Sequence, residues 1–465
     1  GNYILTNSKK TTIKTTTIKG EGNTITVNPG AGITVAGEKT VLNLGANGYD
    51  KKLTIEGDTE VAFITVSGRA TANMYEHVTL QNRPSTGNAC VVIKGLKLVT
   101  GPDSAFNMYG GVIENCRAVI ADSGATFHMF DGEIKDCKVN SEGVILVNGE
   151  SKFIMDGGTI SGCKAPSSDK GNGSGLYANK STINISGGTI SGCEGRWGGG
   201  LYAENSSTIE ISGGTISGCK VGAGGGLFVD SSTIRISGGI ISECTTSDTG
   251  NGGGLYAKNS TIKITGGRIE NNKAALGGGV ALIGKTTFED SITNWTVIGN
   301  EAYATGGVGG GIKLENGSMD VSDGSNRIYN NTADGHGADI CLTDDTSSIK
   351  LPNAANMGAT YLDSGIYIDG WYNDNATSGL RCPFRRGNAN NGANAGLAYL
   401  NGNNGVSNAN VNWSSPLRYA ADFSAIRSGK ETLSLDKKSR LKGVVLVGFT
   451  ADGSWLDGNC RHWTL

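Results

Sequence analysis

The chain has 465 residues, with 40 Lys and Arg against 42 Asp and Glu, a formal net charge of −2 and only 18 % charged residues. That balance predicts no electrostatic grip on nucleic acid or anionic lipid, and no apolar run reaches the length of about 18 residues that membrane insertion needs. With 75 Gly against 7 Pro and no three-residue period, the composition is neither collagen-like nor that of an acidic disordered tail.

The chain starts at Gly1 without a signal peptide, the expectation for a processed form. Residues 1–20 read as an N-terminal cap or first coil. Their segment TTIKTTTIKG alternates Thr and Ile, and Lys9, Lys10, Lys14 and Lys19 suit an open strand edge that must repel other chains. From Asn23 to about Asn88 strand signals are regular but the repeat is loose; from Ser104 to Leu351 it is clear.

The heptapeptide GGTISGC stands at 157–163, 187–193 and 213–219, and returns as GGVIENC from Gly110, GGIISEC from Gly238 and GGRIENN from Gly266. A fixed motif at this spacing means one unit stacked many times, because no single unit can bury its apolar face alone. Each unit holds three strand signals, as at Gly175–Ala178, Ser181–Ser186 and Gly188–Ser191. In the middle strand Ile183/Ile185, Ile209/Ile211, Ile234/Ile236 and Ile262/Ile264 flank Asn184, Glu210, Arg235 and Lys263. Strict alternation puts the isoleucines inside and the polar residues outside. Three strands per coil, each paired with its copy one coil on, make an all-β parallel β-helix with rungs about 4.8 Å apart. Right-handed coiling is the default for parallel crossovers, and the doubled and tripled glycines turn its corners.

The β-helix is expected over 1–350. Beyond about Leu351 the repeat vanishes, and 351–465 read as a β-rich C-terminal cap or accessory domain with a long Asn/Gly-rich loop from Gly387 to Asn412. Leu433–Phe449 reads as strands, while Trp455, Trp463 and Cys460 suggest a small packed end that a Cys382–Cys460 bridge would staple. The basic run RCPFRR, Arg381–Arg386, reads as a solvated loop, with carboxylate or phosphate binding as the alternative.

Cys116, Cys137, Cys163, Cys193, Cys219 and Cys244 share one repeat position, which later units fill with Asn272, Asn300 and Asn331. A place that accepts Cys and then Asn is a structural ladder at a corner, where Asn can bond along its own column. Reduced packing cysteines are the favoured reading there; disulfides between rungs and metal ligation are the alternatives, although zinc-type CxxC and CxxH spacings are missing. No cofactor or metal is expected. In the first strand of each unit, Tyr177, Tyr202, Phe228 and Tyr256 point outward by parity, followed by Ala281 and Lys313 as an exposed column permits. The four aromatics would form a stripe about 15 Å long, rimmed by Trp197, suited to stacking on sugar rings or to a protein interface. The favoured reading of the column is nevertheless an aromatic ladder that stabilises the coil or lies beneath a loop or the cap.

Two family resemblances bear on chemistry. Asn331-Thr332-Ala333-Asp334, Gly335-His336-Gly337, Asp344-Asp345 and Arg327-Ile328-Tyr329 are faintly similar to polygalacturonase motifs. Their order and spacing differ, and a hydrolytic pair needs two carboxyls about 5–9.5 Å apart over a sugar subsite. His336 with Asp334 or Asp339 are the catalytic candidates on that reading. The alternation of GGTISGC with GGGLY resembles, over about 110–341, the bacterial surface proteins whose right-handed β-helix is written in GGTISGN and GGGVY repeats, and more loosely the polymorphic outer-membrane autotransporter passengers. That resemblance implies a secreted or cell-surface adhesin or structural element and transfers no catalytic residue. The expected function is therefore non-enzymatic, with the chain itself (through its ends or C-terminal region) or a surface glycan or protein as partner. A polysaccharide lyase or glycoside hydrolase working in a lateral groove is the rival.

Overall fold

The computed structural model describes residues 3–6, 14–57, 61–81, 89–96, 103–140, 142–166, 171–289, 295–320, 327–335, 338–343 and 348–350. Within them every regular element is a β-strand. The C-terminal strands, the Asn/Gly-rich loop, RCPFRR and the Cys382–Cys460 pairing lie outside the described residues, as do His336, Asp344 and Asp345.

The strands stack into three long parallel sheets of 13, 13 and 12 strands. Each coil gives one strand to each, except the last described coil, which adds none to the third. Around the second GGTISGC, Leu176–Asn179 lies in the first sheet, Thr182–Ile185 in the second and Thr189–Ser191 in the third. Register follows the repeat: Ile183 pairs Ile209, then Ile234, then Ile262, while Asn184 pairs Glu210, Arg235 and Lys263 outside. The four isoleucines are 0 % exposed, and each contributes about 1.5–3 kcal/mol of apolar burial. Upstream the same column holds Phe106, Phe127 and Phe153, with ring centres 5.5 and 5.2 Å apart. The first coil is already regular, since Tyr3–Thr6 and Lys14–Ile18 pair with Ile33–Ala36 and Thr40–Leu44.

Corners explain the paired glycines. Gly188 has φ +80°, and a Cβ on Gly187 would stand 2.2 Å from the Asp156 carbonyl oxygen of the neighbouring coil. One residue needs the left-handed region and the other needs no side chain. At the corner between the first and second sheets a serine column satisfies the backbone: Ser181, Ser207 and Ser232 N–H donate to the hydroxyls of Ser207, Ser232 and Ser260 at 3.1–3.2 Å.

A fourth, minor sheet joins the three predicted strands per coil. Lys220–Val221, Thr245–Thr246, Lys273–Ala274, Glu301–Ala302 and Thr332–Ala333 pair in series. They belong to an arm that leaves the third sheet and returns to the first through the glycine triplets. In successive arms Asn172 bridges Trp197 and Trp197 bridges Ala223, and further on Asn251 bridges Leu276.

Candidate functional site: two aromatic columns

Tyr177, Tyr202, Phe228 and Tyr256 are register partners on the outer face of the first sheet. Their rings stack at 5.5, 5.0 and 4.4 Å. The column is nevertheless covered: Tyr177, Tyr202 and Phe228 are 8, 3 and 5 % exposed. The arm folds across it, laying Trp197 5.3 Å from Phe228, with the Arg196 guanidinium 3.7 Å above the indole. Glu204 accepts from the Tyr177 hydroxyl at 2.5 Å and from Tyr202 at 3.1 Å. Burial first, then Glu204, push the Tyr177 phenol up; burial and the Glu204 charge do the same to Tyr202. The binding reading of Tyr177, Tyr202, Phe228 and Tyr256 as an open stripe rimmed by Trp197 is corrected here. Parity places these rings outside the solenoid core, but the arm makes a second core over them. Lys313, expected in an exposed column, is likewise buried at 5 % exposure.

An open column stands elsewhere. Tyr75, Tyr109 and Phe130 each follow an inward methionine, Met74, Met108 and Met129, at the exit from the second sheet. Their rings stack at 5.2 and 4.6 Å with interplanar angles of 16° and 11°, and all three are half-buried. His128 stacks on Phe130 at 3.6 Å, and its Nε2 lies 2.7 Å from Asp156 Oδ2. Asp156 also accepts from Ser186 Oγ at 2.7 Å. Ser186 first, then His128, hold that carboxyl below its ordinary range. Beside the rings runs an amide ladder: Asn107 Nδ2 donates to Asn73 at 2.9 Å, and Asn73 Nδ2 to Asn43 at 2.8 Å. Flat apolar faces next to fixed amides and a His–carboxylate pair can stack on and hydrogen-bond a polyhydroxylated ring.

This column is missing from the sequence reading although its signal is present. The triplets Asn73-Met74-Tyr75, Asn107-Met108-Tyr109 and His128-Met129-Phe130 repeat one pattern, upstream of the first complete heptapeptide. Later coils put Asp156, Ser186 and Ser212 at the aromatic place, so the motif that anchors the repeat hides it.

The sequence model of a family described as right handed beta helix region matches residues 118–302 and 175–356, together more than half the chain. The chain belongs to this right-handed β-helix family. No curated protein and no solved structure matches it.

In this right-handed β-helix the six cysteines Cys116, Cys137, Cys163, Cys193, Cys219 and Cys244 are free and 0 % exposed. Cys163, Cys193 and Cys219 each point Sγ at a carbonyl two residues back, at 3.5–3.6 Å. Hydrogen bonding to neighbouring ladder cysteines, then burial, push the Cys137, Cys193 and Cys244 thiols up. The column then changes chemistry. Cys244 N–H donates to Asn272 Oδ1, Asn272 N–H to Asn300 Oδ1 and Asn300 N–H to Asn331 Oδ1, at 2.9–3.0 Å. Each Asn Nδ2 returns a bond to a main-chain carbonyl at 3.0–3.1 Å.

Asp339 ends this ladder. It is 5 % exposed and its Oδ1 accepts from Asn331 Nδ2 at 2.8 Å, which corrects its candidacy as a catalytic acid: a carboxylate committed to a buried amide does not face a substrate. Asp334 is exposed and accepts from Gly306 N–H at 2.9 Å. Among the described residues no three His, Cys, Asp or Glu side chains gather to hold a metal ion.

Proposed function

We propose that this right-handed β-helix is a non-enzymatic extracellular or cell-surface element that adheres to glycans through the Tyr75–Tyr109–Phe130 column. One observation carries the reading: three rings stacked in register and left half-open, beside the Asn43–Asn73–Asn107 ladder. Long-range charge is not the attraction, since the net charge is −2; ring stacking and amide hydrogen bonds are. Its Ser, Thr, Asn and Gly-rich exterior and its likeness to surface-protein repeats support display outside the cell. Calorimetric titration with soluble oligosaccharides tests it. Tyr75→Ala with Tyr109→Ala should weaken binding about tenfold or more while the β-sheet spectrum is kept, since 1.4 kcal/mol is tenfold. Equal affinity in wild type and double variant removes the site.

A depolymerising enzyme is the second reading, favoured by the His128–Asp156 pair at the end of the column. A histidine held by a carboxylate can serve as a general base. Release of reducing ends or unsaturated products that His128→Ala abolishes would replace adhesion with catalysis. Self-association is the remaining partner: Lys14–Ile18 and Tyr3–Thr6 each pair on one side only among the described strands, and such an edge can accept a second copy. A strictly monomeric sedimentation profile at high concentration rejects that contact.

A further inference from the structure

We infer that Lys313 and Asn251 are joined by an intramolecular isopeptide bond, with Glu315 as the proton carrier. Lys313 occupies the outward register of the first sheet where preceding coils place Tyr256 and Ala281. Its side chain is only 6 % exposed. Its Nζ lies 2.7 Å from Glu315 Oε2 and 3.3 Å from Asn251 Oδ1. Ala281, itself 0 % exposed, leaves the room through which the lysine stem reaches an arm two coils away. Asn251 is fixed from both sides, because its carbonyl accepts from Gly224 N–H at 3.0 Å and its backbone bridges Leu276. A covered amine held against a half-buried carboxamide, with a half-exposed carboxylate on the amine, has the parts of an amide exchange. Fixed geometry replaces the encounter that makes such an exchange negligibly slow between free side chains.

The step balances without an oxidant or reductant. Glu315 takes a proton from the Lys313 ammonium, and the neutral Nζ adds to Asn251 Cγ. The Nζ–Cγ bond forms and the Cγ–Nδ2 bond breaks. Nζ gives up a second proton as the new amide forms, and Glu315 passes both protons to the departing Nδ2, so lysine and asparagine side chains become one secondary amide plus ammonium. The product ties the arm before Leu255–Lys258 to the strand Ile312–Glu315, adding a covalent bond across two coils to the sheets and side-chain ladders that already join them.

Mass spectrometry of the full chain decides it. The intact protein should weigh less than its sequence by one ammonia, and a protease digest should contain a branched peptide joining Lys313 to Asn251. Glu315→Gln, Lys313→Arg and Lys313→Met should each restore the full mass. An intact mass equal to the sequence, with the two peptides separate, overturns the inference, and this readout needs no variant to fold. The Asn251–Gly252 step can also lose ammonia by closing on its own backbone, so an ammonia loss that persists in Lys313→Met, or a branched peptide running to Glu315 with loss of water, overturns it equally. None of these outcomes depends on glycan binding.

Discussion

Two aromatic columns climb the outside of this solenoid at rung spacing, and they differ in what covers them. The Tyr177–Tyr202–Phe228–Tyr256 column lies under the arm that carries Trp197; the Tyr75–Tyr109–Phe130 column lies at a corner that no arm crosses among the described residues. Similar stacking therefore serves stability in one place and leaves surface in the other. Cover, rather than composition, separates them.

Truncating one ring in each column is the sharpest way to break that contrast. Tyr202→Ala removes a ring that is 3 % exposed and stacked on both sides, and should lower unfolding stability by about 3–5 kcal/mol, as other buried aromatic truncations do. Tyr109→Ala loses stacking at a half-open edge and should cost about 1 kcal/mol, while removing ligand. Denaturant unfolding of the two variants measures both; similar losses would mean that the columns share one role.

The cysteine–asparagine ladder offers a test at the next magnitude. Asn300→Ala leaves the Asn272 N–H, the Asn272 amide and the Ile269 carbonyl without the partner they have now. At about 1–3 kcal/mol per buried orphan, a loss of about 2–3 kcal/mol is expected, since the cavity admits some relaxation. Asn300→Cys should lose less than Asn300→Ala, because six coils already accept a thiol there. If alanine is as stable as asparagine, the ladder is incidental to the fold.

Much of this was legible in the sequence, for an identifiable reason. A period of two assigns each side chain to a face, and the heptapeptide sets the coil, so the isoleucine columns and the Cys-to-Asn succession are read directly from spacing. What lies across a face is not periodic. Whether Tyr202 meets water depends on an arm whose sequence, Gly195-Arg196-Trp197, stands in register with Val221-Gly222-Ala223 of the next arm and shares no residue with it. Asp339 escaped because it enters the ladder eight residues after Asn331, not one coil later. The open column escaped because its coils precede the perfect repeats, where Tyr109 stands at the place later held by Ser186.

Alkaline titration separates the columns by a smaller effect. Tyr177 and Tyr202 have phenols pushed up in the fold, by burial and Glu204, whereas unfolded tyrosine ionises near pH 10. Both stay neutral in the folded chain after the unfolded chain has begun to lose protons. Their contribution is thus fully present below about pH 10 and declines as pH rises toward the folded values. Phenolate absorbance should show these two rings ionising only as the β-sheet signal is lost; early ionisation of both would mean that Trp197 and its arm do not cover them.

The smallest effect belongs to the open column and has the opposite direction. Asp156 is held below its ordinary range by the Ser186 hydroxyl and then by His128. A depressed carboxyl stabilises the fold fully above its unfolded value of about 3.9, and that contribution is lost as pH falls through the lower folded value. Its side chain is 44 % exposed, so solvent screening limits the effect to about 0.5 kcal/mol or less. Asp156→Asn should flatten stability against pH below about 4 and lower it near neutrality by that same small contribution, since the Ser186 and His128 bonds to the charged carboxylate are lost. An unaltered acid limb in that variant would place the acid sensitivity in other carboxylates and leave the His128–Asp156 pair as a surface contact with no energetic part in holding Phe130.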